Sequence, residues 1–542
     1  MSSSEPLRIA LIIRPIIQQM SLMTIFNLRS IRRAAVAALL LVPAQMVFYG
    51  CTNLTEVPKD ALTPDNAFRS DAEVLAGVAS VYAGLRGTMW EYYNLSEIST
   101  DEMIVPTRGQ DWYDNGRWLE IYKQQWNSNS GATLVDVNGA WNVLFSGVAR
   151  ANLMIDVITK AGGPTAPSTL AELRTLRAWY YYMLMDFFGG VPLVTGTQVG
   201  ATARVSRDSV FRFIESELNA TRSALPATRP GDQTGRLTSG AADAILAGLY
   251  LNAQVFTGTP SAGGLSKGAA RWQDAITAAD RVINSGNYVL EPNWGHNFTP
   301  DNHDSRENIF YIAHTNAQPD LGMSLPMRTL HYNMLSVQGG PWNGFAAIAE
   351  TYRAFDPADK RRNLFLVGQQ FSFDTGLPVK DRAGNALIFT DTIGNENAAA
   401  ENEGPRYNKF VPLPTALSGA SHPNNFPFFR LAEMYLVKAE AQNELGQTAA
   451  AIAQVNIVRA RQFTTPKPLA PGLSQSELRA AIFSERLFEF TAEAKRRQDM
   501  IRAGTFVAAR RFKAAGGAYK VLFPIPTTQI ASNPLLTQNP GY

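Results

Sequence analysis

Cysteine and histidine are scarce in this chain. Cys51 is the only cysteine among 542 residues, which excludes an intrachain disulfide. The five histidines are far apart in sequence, and each is interpreted as an ordinary polar residue. The histidines therefore predict no metal site. No calcium loop of the D-x-D-x-D-G type occurs either, although Asp side chains and carbonyl oxygens from separate parts of the chain could still bind a cation.

Motifs of the common enzyme classes are also missing. The chain has no H-E-x-x-H, Walker or G-x-G-x-x-G sequence, so we predict that it is not an enzyme and needs no cofactor. A surface glycoside hydrolase stays an alternative, because it would need only two carboxyl groups across a cleft. Glu485 and Glu489, one helical turn apart, are instead interpreted as a charged helix face or an internal ion-pair network.

Excess charge of either sign is small. The formal net charge is +3, and charged residues make up 18% of an otherwise ordinary globular composition, so nothing predicts binding to nucleic acid. Basic clusters at 360–362, 495–497 and 510–511 each lie beside acidic residues or at a predicted helix end. They are interpreted as solvated charge or as charge that complements a helix dipole.

The longest apolar run lies near the N-terminus. Residues 34–48 (AAVAALLLVPAQMVF) follow three arginines and precede Cys51, which predicts a secretory signal peptide over residues 1–50. Cys51 is the predicted lipidation site, and acyl chains there would anchor the protein to a membrane. Secretion without a lipid is the alternative, because the residues before Cys51 fit the lipoprotein pattern imperfectly. A translation start at Met20 or Met23 would give a more ordinary signal.

The rest of the chain divides by its hydrophobic periodicity. Residues 51–66 are polar, without a period, and predict a tether. Apolar residues at helical spacing, with caps and Gly or Pro stops, predict helices at 65–85, 135–160, 169–188, 209–225, 239–256, 269–285, 429–445, 448–461 and 474–503. Between 316 and 425 that periodicity fades, which predicts a loop-rich insertion with short strand-like pieces such as ALIFTDT.

Two stretches carry small residues at helical spacing around a short turn. They are AARWQDAITAADRVINSGNYVL and LVKAEAQNELGQTAAAIAQVNIVRAR. Alanines at such positions let paired helices approach closely, as in tetratricopeptide repeats. The match to that repeat is partial, so the predicted architecture is tetratricopeptide-like helix pairs.

Several segments, in order, resemble the SusD/RagB family of nutrient-binding proteins. CTNLTEVPKDALTPDNAFRSDAEVLAGVASVYAGLRG is similar to that family's tether and first helix, and LRTLRAWYYYMLMDFFGGVPLVT resembles its RAxxYxxLxxxFGxxPL signature. FFRLAEMYLVKAEAQNELG, AIFSERLFEFTAEAKRRQDMIRAG and LFPIPTTQIASNPLLTQNPGY resemble its C-terminal region. The family's Glu-Gly-x-Arg-Trp pattern is altered, with Ala494 in place of Gly and Arg497 in place of Trp.

The resemblance implies a mainly α SusD-like fold and a role in nutrient uptake. It implies a helical N-terminal region over 67–315, the variable insertion over 316–425 and a helical C-terminal region over 426–542. It further implies a lipoprotein of the outer membrane that faces the cell exterior and binds glycans, or peptides, for a SusC-like TonB-dependent β-barrel transporter. A helical-repeat scaffold lipoprotein that binds another protein is the alternative from a different class.

Aromatic residues cluster with polar ones in two loop-like stretches, and exposed rings can stack on the apolar face of a sugar. The first stretch runs from Trp90 to Trp118 and includes Asn115. The second runs from His331 to Asn343 and includes Tyr332 and Asn333. For every such aromatic, core packing is the alternative to ligand contact. The candidate ligand-binding residues are Trp90, Tyr92, Tyr93, Asp101, Trp112, Tyr113, Asp114, Trp342 and Asn343.

Overall fold

The computed structural model describes Phe68, residues 70–129 and residues 131–542. The predicted signal peptide at 1–50, the lipidation site Cys51 and the tether at 51–66 lie outside the described residues. Among the described residues, no helix combines the length and the apolar character needed to cross a membrane.

The described chain is mainly α. Its first eight helices, α1–α8, are Asp71–Gly87, Glu91–Glu97, Arg117–Tyr122, Leu134–Ala161, Ala166–Phe188, Arg207–Thr221, Ser239–Leu251 and Ala253–Phe256. The next eight, α9–α16, are Trp272–Ile283, Leu325–Thr329, Ala349–Ala354, Leu431–Glu444, Thr448–Arg459, Gln475–Phe490, Arg496–Ala503 and Thr527–Ser532.

Strands are short and form antiparallel pairs. In chain order, β1–β10 are Met103–Ile104, Thr259–Ser261, Gly264–Ser266, Asn308–Ile312, Ala346–Ala347, Phe365–Leu366, Gly368–Gln369, Ile388–Phe389, Arg406–Tyr407 and Phe426–Arg430. The pairs are β1 with β5, β2 with β3, β4 with β10, β6 with β9, and β7 with β8. Five of these strands, β5–β9, lie within residues 316–425, where helical periodicity fades, and β4 and β10 lie on either side of that stretch.

Helix α1 shows how local sequence sets an element boundary. It begins after Ser70, whose side chain accepts from the Glu73 backbone N–H while Glu73 reaches back to Ser70, a capping box. The predicted capping residues Asp65 and Asn66 lie outside the described residues. The later helices predicted from periodicity are found within a few residues of their expected bounds, although residues 429 and 430 belong to strand β10 and the last predicted helix is interrupted after residue 490.

Small residues bring neighbouring helices close together. Gly147 of α4 lies against the Tyr180 ring of α5, and a Cβ at Gly147 would come within 2.3 Å of that ring. Helix α9 packs between α7 and α12, and α12 packs on α13. These contacts bury alanines such as Ala278 and Ala439. The second alanine-rich stretch forms the predicted helix pair, α12 and α13, whereas the first contains only α9, which packs on α7 and α12.

The last long predicted helix, 474–503, is interrupted. It forms α14 and α15, and the connecting residues Ala492 and Ala494 have φ of +64° and +60°. Alanine favours helix, so the local sequence gives no stop signal. Tertiary contacts decide it: the backbone N–H of Ala492 donates to Glu102 Oε2 at 3.0 Å, and that of Ala494 donates to Glu97 Oε1.

A network of buried ion pairs fixes the C-terminal helices. Arg430 contacts Glu307, Glu489 and Glu493, and all four side chains are at most 1% exposed. Arg361 joins Glu485 and Glu489 at 2.7 and 2.8 Å, which confirms the interpretation of those carboxylates as an internal ion-pair network. We call this group, with Arg461 and Lys409, the ion network.

The basic clusters correct one expectation. Arg361, Arg496 and Arg497 are buried and paired within the fold, so the interpretation of their charge as solvated is wrong for these residues. Arg496 binds Asp101, and Arg497 binds Asp186 at 2.9 Å. Arginine serves this role because its planar guanidinium forms several directed hydrogen bonds at once.

Candidate functional site

Two tryptophans from distant parts of the chain meet at the surface. Trp90 precedes α2 and Trp342 precedes β5, and their rings stack with centroids 6.0 Å apart and planes inclined by 20°. Trp90 is 42% exposed, and Trp342 is half-buried. With Trp112 and Tyr113, these residues form what we call the tryptophan surface.

A buried arginine positions Trp90. The Arg328 guanidinium carbon lies 3.9 Å from the centroid of the Trp90 ring, and its Nη1 donates to Asn94 Oδ1 at 3.1 Å. Arg328 is fully buried, and this burial lowers its pKa to about 10. A cation held against an indole face fixes that ring and disfavours its rotation. The exposed part of Trp90 is therefore presented in one orientation.

Trp112 anchors the second stretch of the surface. Its indole N–H donates to the Trp342 carbonyl oxygen at 2.6 Å, and its ring packs edge-on against Trp118 and Phe345. A Cβ at Gly344 would lie 2.3 Å from the Trp112 ring, so only glycine allows this contact. The hydrogen bond joins the loop before α3 to the segment before β5 and sets the spacing of their aromatic rings.

The loop that carries Trp112 and Tyr113 has an unusual backbone. Trp112, Asp114 and Asn115 have φ of +62°, +38° and +55°, a region in which non-glycine residues are uncommon. Asp114 Oδ2 accepts from the Trp118 indole N–H at 2.6 Å, which holds the turn. Tyr113 lies at its tip and is 56% exposed. Such strain is concentrated at functional sites in proteins generally.

A charged group adjoins the tryptophan surface through Asp111. Asp111 Oδ2 accepts from the Tyr332 hydroxyl and from Arg382 Nη2, the latter at 3.1 Å. The Arg382 guanidinium lies 4.3 Å from the Tyr332 ring centroid. Burial raises the pKa of Tyr332, and the hydrogen bond to Asp111 raises it further, so this hydroxyl remains a donor at neutral pH.

Glu401 completes this charged group. It pairs with Arg382, and its Oε2 lies 3.0 Å from His331 Nε2. Burial alone would raise the pKa of Glu401, but hydrogen bonds with His331 and Arg382 lower it overall. Arg382 is thus neutralised by Asp111 and Glu401, and the group offers polar atoms without excess positive charge.

The structure brings five of the nine candidates into this region. Trp90, Trp112, Tyr113 and Trp342 form the tryptophan surface, and Asp114 holds its loop from an exposed position. Asp101 lies elsewhere, paired with Arg496 at 2.7 Å.

Three candidates are corrected because they are buried. Tyr92 is 4% exposed and stacks on Phe187, and Tyr93 is 3% exposed and packs edge-on against Phe426. Asn343 is fully buried, where its side chain binds Arg406 and the Glu401 carbonyl oxygen. In α2, successive tyrosines face the core because the helix is covered on most of its circumference, a property that spacing alone does not reveal.

Asp111, Arg328, Arg382 and Glu401 adjoin the tryptophan surface but are not among the candidates predicted from the sequence. Asp111 could have been found, because it directly precedes Trp112 in the same polar and aromatic stretch. Arg328 lies in the short helix α10, Arg382 and Glu401 lie in separate loops, and none of the three belongs to a motif. In the part of the chain that the structure describes, no group of His, Cys, Asp and Glu is arranged to hold a metal ion.

Two models of known protein families match this chain. The model described as "SusD family" matches residues 350–542, and the model described as "Starch-binding associating with outer membrane", a SusD-like family, matches residues 61–251. The chain belongs to the SusD family. The two matched segments lie on either side of residues 252–349, which include Arg328 and Trp342.

Relatives of this SusD-family chain match along most of its length. A SusD-like protein of Formosa agariphila, P25, is 22% identical over 90% of this chain and 96% of that protein. The starch-binding protein SusD of Bacteroides thetaiotaomicron is 26% identical over 83% of this chain and 85% of that protein. These relatives are named as binding proteins or by family, and none is named as an enzyme.

Solved structures show the same fold. A laminarin-binding SusD-like protein superposes with a TM-score of 0.71, at 23% identity over 88% of this chain and 100% of that one. Surface glycan-binding protein A of Bacteroides thetaiotaomicron, solved with laminarihexaose, gives a TM-score of 0.68, at 20% identity over 87% of this chain and 100% of that one. The predicted mainly α SusD-like fold is confirmed.

The SusD-family signature residues of this chain hold the fold together. Arg177 Nη2 binds Glu217 at 2.6 Å, and the Tyr181 hydroxyl bonds to both the N–H and the carbonyl oxygen of Val194. Gly189, at φ +70°, ends α5. None of these residues is part of the tryptophan surface.

Proposed function

We propose that this protein is a non-enzymatic glycan-binding protein of the cell surface and that the tryptophan surface is its ligand-binding site. The observation that carries the proposal is the stacked pair Trp90 and Trp342, partly exposed and fixed in place by Arg328 and Trp112. Rings that are already ordered bind a flat apolar sugar face without a large loss of side-chain entropy.

The surroundings of the rings suit a neutral oligosaccharide. Sugar C–H groups contact aromatic faces, while hydroxyl groups need both donors and acceptors nearby. Asp111, Tyr332 and Arg382 supply these at the edge of the surface, with the arginine charge balanced by two carboxylates. The names of the relatives, which cite starch, laminarin and laminarihexaose, point to the same chemical class.

We further propose delivery of the bound glycan to a SusC-like TonB-dependent β-barrel transporter. This part rests on the family and on the N-terminal sequence, in which Cys51 would carry the lipid and residues 51–66 would tether the protein to the outer membrane. We also propose that the chain divides into a helical N-terminal region over 67–315, a variable insertion over 316–425 and a helical C-terminal region over 426–542. Peptide is the alternative ligand class.

Calorimetric titration tests the binding site. Laminarihexaose and maltohexaose are titrated into the wild-type protein and into Trp90→Ala and Trp342→Ala. We expect each substitution to weaken binding at least about tenfold, because hot-spot aromatics contribute on the order of 2 kcal/mol or more. Phe371→Ala is the matched control, since Phe371 is also exposed, at 51%, and lies in another part of the insertion.

Each result has a defined meaning. Unchanged affinity in both tryptophan variants would exclude the tryptophan surface as the site. If the protein binds members of a peptide library but neither glycan, the ligand class is peptide and not glycan. Shortened glycan in the sample after titration would revive the hydrolase alternative.

The transporter partner needs a separate experiment. The tagged lipoprotein is recovered from detergent-solubilised outer membranes, and co-purifying proteins are identified. A stoichiometric β-barrel transporter is expected. Recovery of a different protein in equal amount, together with no glycan binding, would favour the scaffold alternative.

A further inference from the structure

A cavity lies where four parts of the sequence meet. It is lined by residues from 292–299, 360–364, 408–411 and 461–462, and its volume is about 480 Å³. We call it the Trp294 cavity. It shares no lining residue with the tryptophan surface, and its size is within the range of small-molecule sites.

Four residues that line the Trp294 cavity carry buried polar atoms without a partner in the protein. Two are donors, Trp294 Nε1 and Arg461 Nε, and two are acceptors, Asn408 Oδ1 and Gln462 Oε1. Buried polar groups are normally hydrogen-bonded, because an unmade bond costs free energy. Each of these atoms is covered by its neighbours, so a ligand in the cavity reaches one only when a lining side chain turns, and that ligand would have to both accept and donate.

The ion network holds the inner wall of the cavity. Arg461 pairs with Glu307 and with Glu489, the latter at 2.8 Å, and Lys409 pairs with Glu493. Lys409 Nζ also lies 4.9 Å from the Trp294 ring centroid. These contacts order the lining before any ligand arrives, and they neutralise two of its three cationic residues.

Lys360 is the third cationic residue of the lining and the only one of the three that faces solvent, so the lining carries little net charge. Lys360 is exposed, and its backbone N–H donates to the Gln462 carbonyl oxygen at 2.9 Å. The remaining lining is neutral: amides such as Asn363 and Asn408, and apolar side chains such as Leu364 and Val411. An ordered, nearly neutral lining of amides beside an indole fits a polyhydroxylated ligand better than an anion.

We infer that the Trp294 cavity is a second saccharide-binding site, which takes a short neutral saccharide. The inference rests on the proposed function in that it assumes a glycan-binding protein. A sugar hydroxyl is donor and acceptor at once, so it can pair with the indole N–H and with an amide oxygen, while the C–H face contacts Leu364 and Val411. A glycan chain held on the tryptophan surface and a sugar held in this cavity would be bound independently.

Fluorine NMR of protein labelled with 5-fluorotryptophan tests both sites in one titration. The chain has nine tryptophans, and the variants Trp294→Phe, Trp90→Phe and Trp342→Phe assign the three resonances needed. The probes are laminarihexaose, maltohexaose and glucose. We expect the Trp294 resonance to shift and saturate with at least one probe, at a midpoint different from that of Trp90 and Trp342.

The outcomes separate the inference from the proposed function. If only the Trp90 and Trp342 resonances shift, the second site is overturned and the proposed function is supported. Movement of Trp294 alone would support the cavity and exclude the tryptophan surface. If no resonance moves with any probe, both are overturned.

A cavity-filling variant shows whether binding at Trp294 is direct. Asn363 is exposed at the mouth of the cavity, so Asn363→Trp should fill it and leave the fold intact. We expect at least about a tenfold loss of affinity at the Trp294 resonance and no change at Trp90. Asn219→Trp, at an exposed position on α6, is the matched control. An unchanged Trp294 midpoint in Asn363→Trp would also overturn the inference.

Discussion

The ion network and the tryptophan surface use their side chains in opposite ways. In the ion network, Arg430 and Glu489 are buried, and each has several charged partners within the protein. In the tryptophan surface, Trp90 and Tyr113 are ordered on one side and exposed on the other. The charges of Arg430 and Glu489 are satisfied within the protein, whereas Trp90 and Tyr113 keep exposed surface that a ligand can contact.

A strongly charged core and an exposed aromatic surface therefore coexist in one molecule, because the charges of the core are paired with one another. Glu485 and Glu489 would be candidates for a catalytic pair if only their spacing were known. In the fold, Arg361 binds both, and burial, which would raise the pKa of Glu489, is outweighed by Arg461, Arg430 and Arg361, so that its pKa falls well below the usual range. A carboxyl group in that environment is a poor proton donor.

Removal of one partner from the ion network should give the largest effect. Arg430→Met leaves the carboxylates of Glu307, Glu489 and Glu493 buried with less compensation, and we expect a loss of about 3–5 kcal/mol in the free energy of unfolding. Urea denaturation followed by circular dichroism measures it. Arg353→Ala, which breaks an exposed pair with Asp391, should cost less than about 1 kcal/mol. Equal losses in the two variants would contradict the comparison.

A substitution that displaces the tryptophan surface should lower the free energy of unfolding less than Arg430→Met does, and it should lower the affinity for glycan. In Gly344→Ala, the new methyl group collides with the Trp112 ring, and we expect a destabilisation of about 1–3 kcal/mol with a displaced indole. Because Trp112 positions Trp342, glycan affinity should fall as well. Gly200→Ala is the control, since a Cβ there meets nothing within 4 Å. Full glycan affinity in Gly344→Ala would show that Trp112 does not position the site.

The buried carboxyls Glu97 and Glu102 should make stability depend on pH. Burial raises both pKa values, that of Glu97 to about 7, so the folded state binds more protons than the unfolded state between about pH 4.5 and 7. Stability should therefore fall as pH rises through this window. In Glu102→Gln we expect that fall to shrink by an amount on the order of 1 kcal/mol. Melting temperatures of both proteins from pH 4.5 to 8 measure it, and parallel curves would argue against the pair.

The smallest effect is expected from relief of backbone strain. Ala494 has φ of +60°, a conformation that costs an L-residue roughly 1–2 kcal/mol, whereas glycine adopts it freely. Ala494→Gly should raise the free energy of unfolding by about 1 kcal/mol, after allowance for the greater freedom of the unfolded chain. Ala450→Gly, at an exposed position in α13, should lower it by a similar amount. A destabilised Ala494→Gly protein would show that the strain is absent.

Much of the helical framework could be predicted from the sequence. The apolar and alanine positions of α4, α5, α7, α9, α12 and α13 repeat at helical spacing, and each of these segments is found close to its expected bounds. The break between α14 and α15 could not be predicted, because its cause is the pair of carboxylates Glu97 and Glu102, about 390 residues away in the chain. Strand β10 was hidden in the same way, since its partner β4 is distant in sequence.

The candidate site was predicted in part. Trp90, Trp112, Tyr113 and Trp342 were selected because they belong to two clusters of aromatic and polar residues in loop-like stretches. The same pattern selected Tyr92 and Tyr93, which are buried, because exposure depends on which helix face is covered. Arg328 and Arg382 reach the site from separate segments, and their role appears only when the chain is folded.

By itself, the sequence determined the family, the helix pairs and the kinds of residue available for binding, because these depend on local periodicity and on an ordered set of motifs. The tertiary structure decided which aromatic rings are exposed, which carboxylates are neutralised by arginine and where unpartnered donors and acceptors gather around a cavity. Each of these depends on contacts between residues hundreds of positions apart, and burial and electrostatic interaction are properties of distance in space, not of distance along the chain.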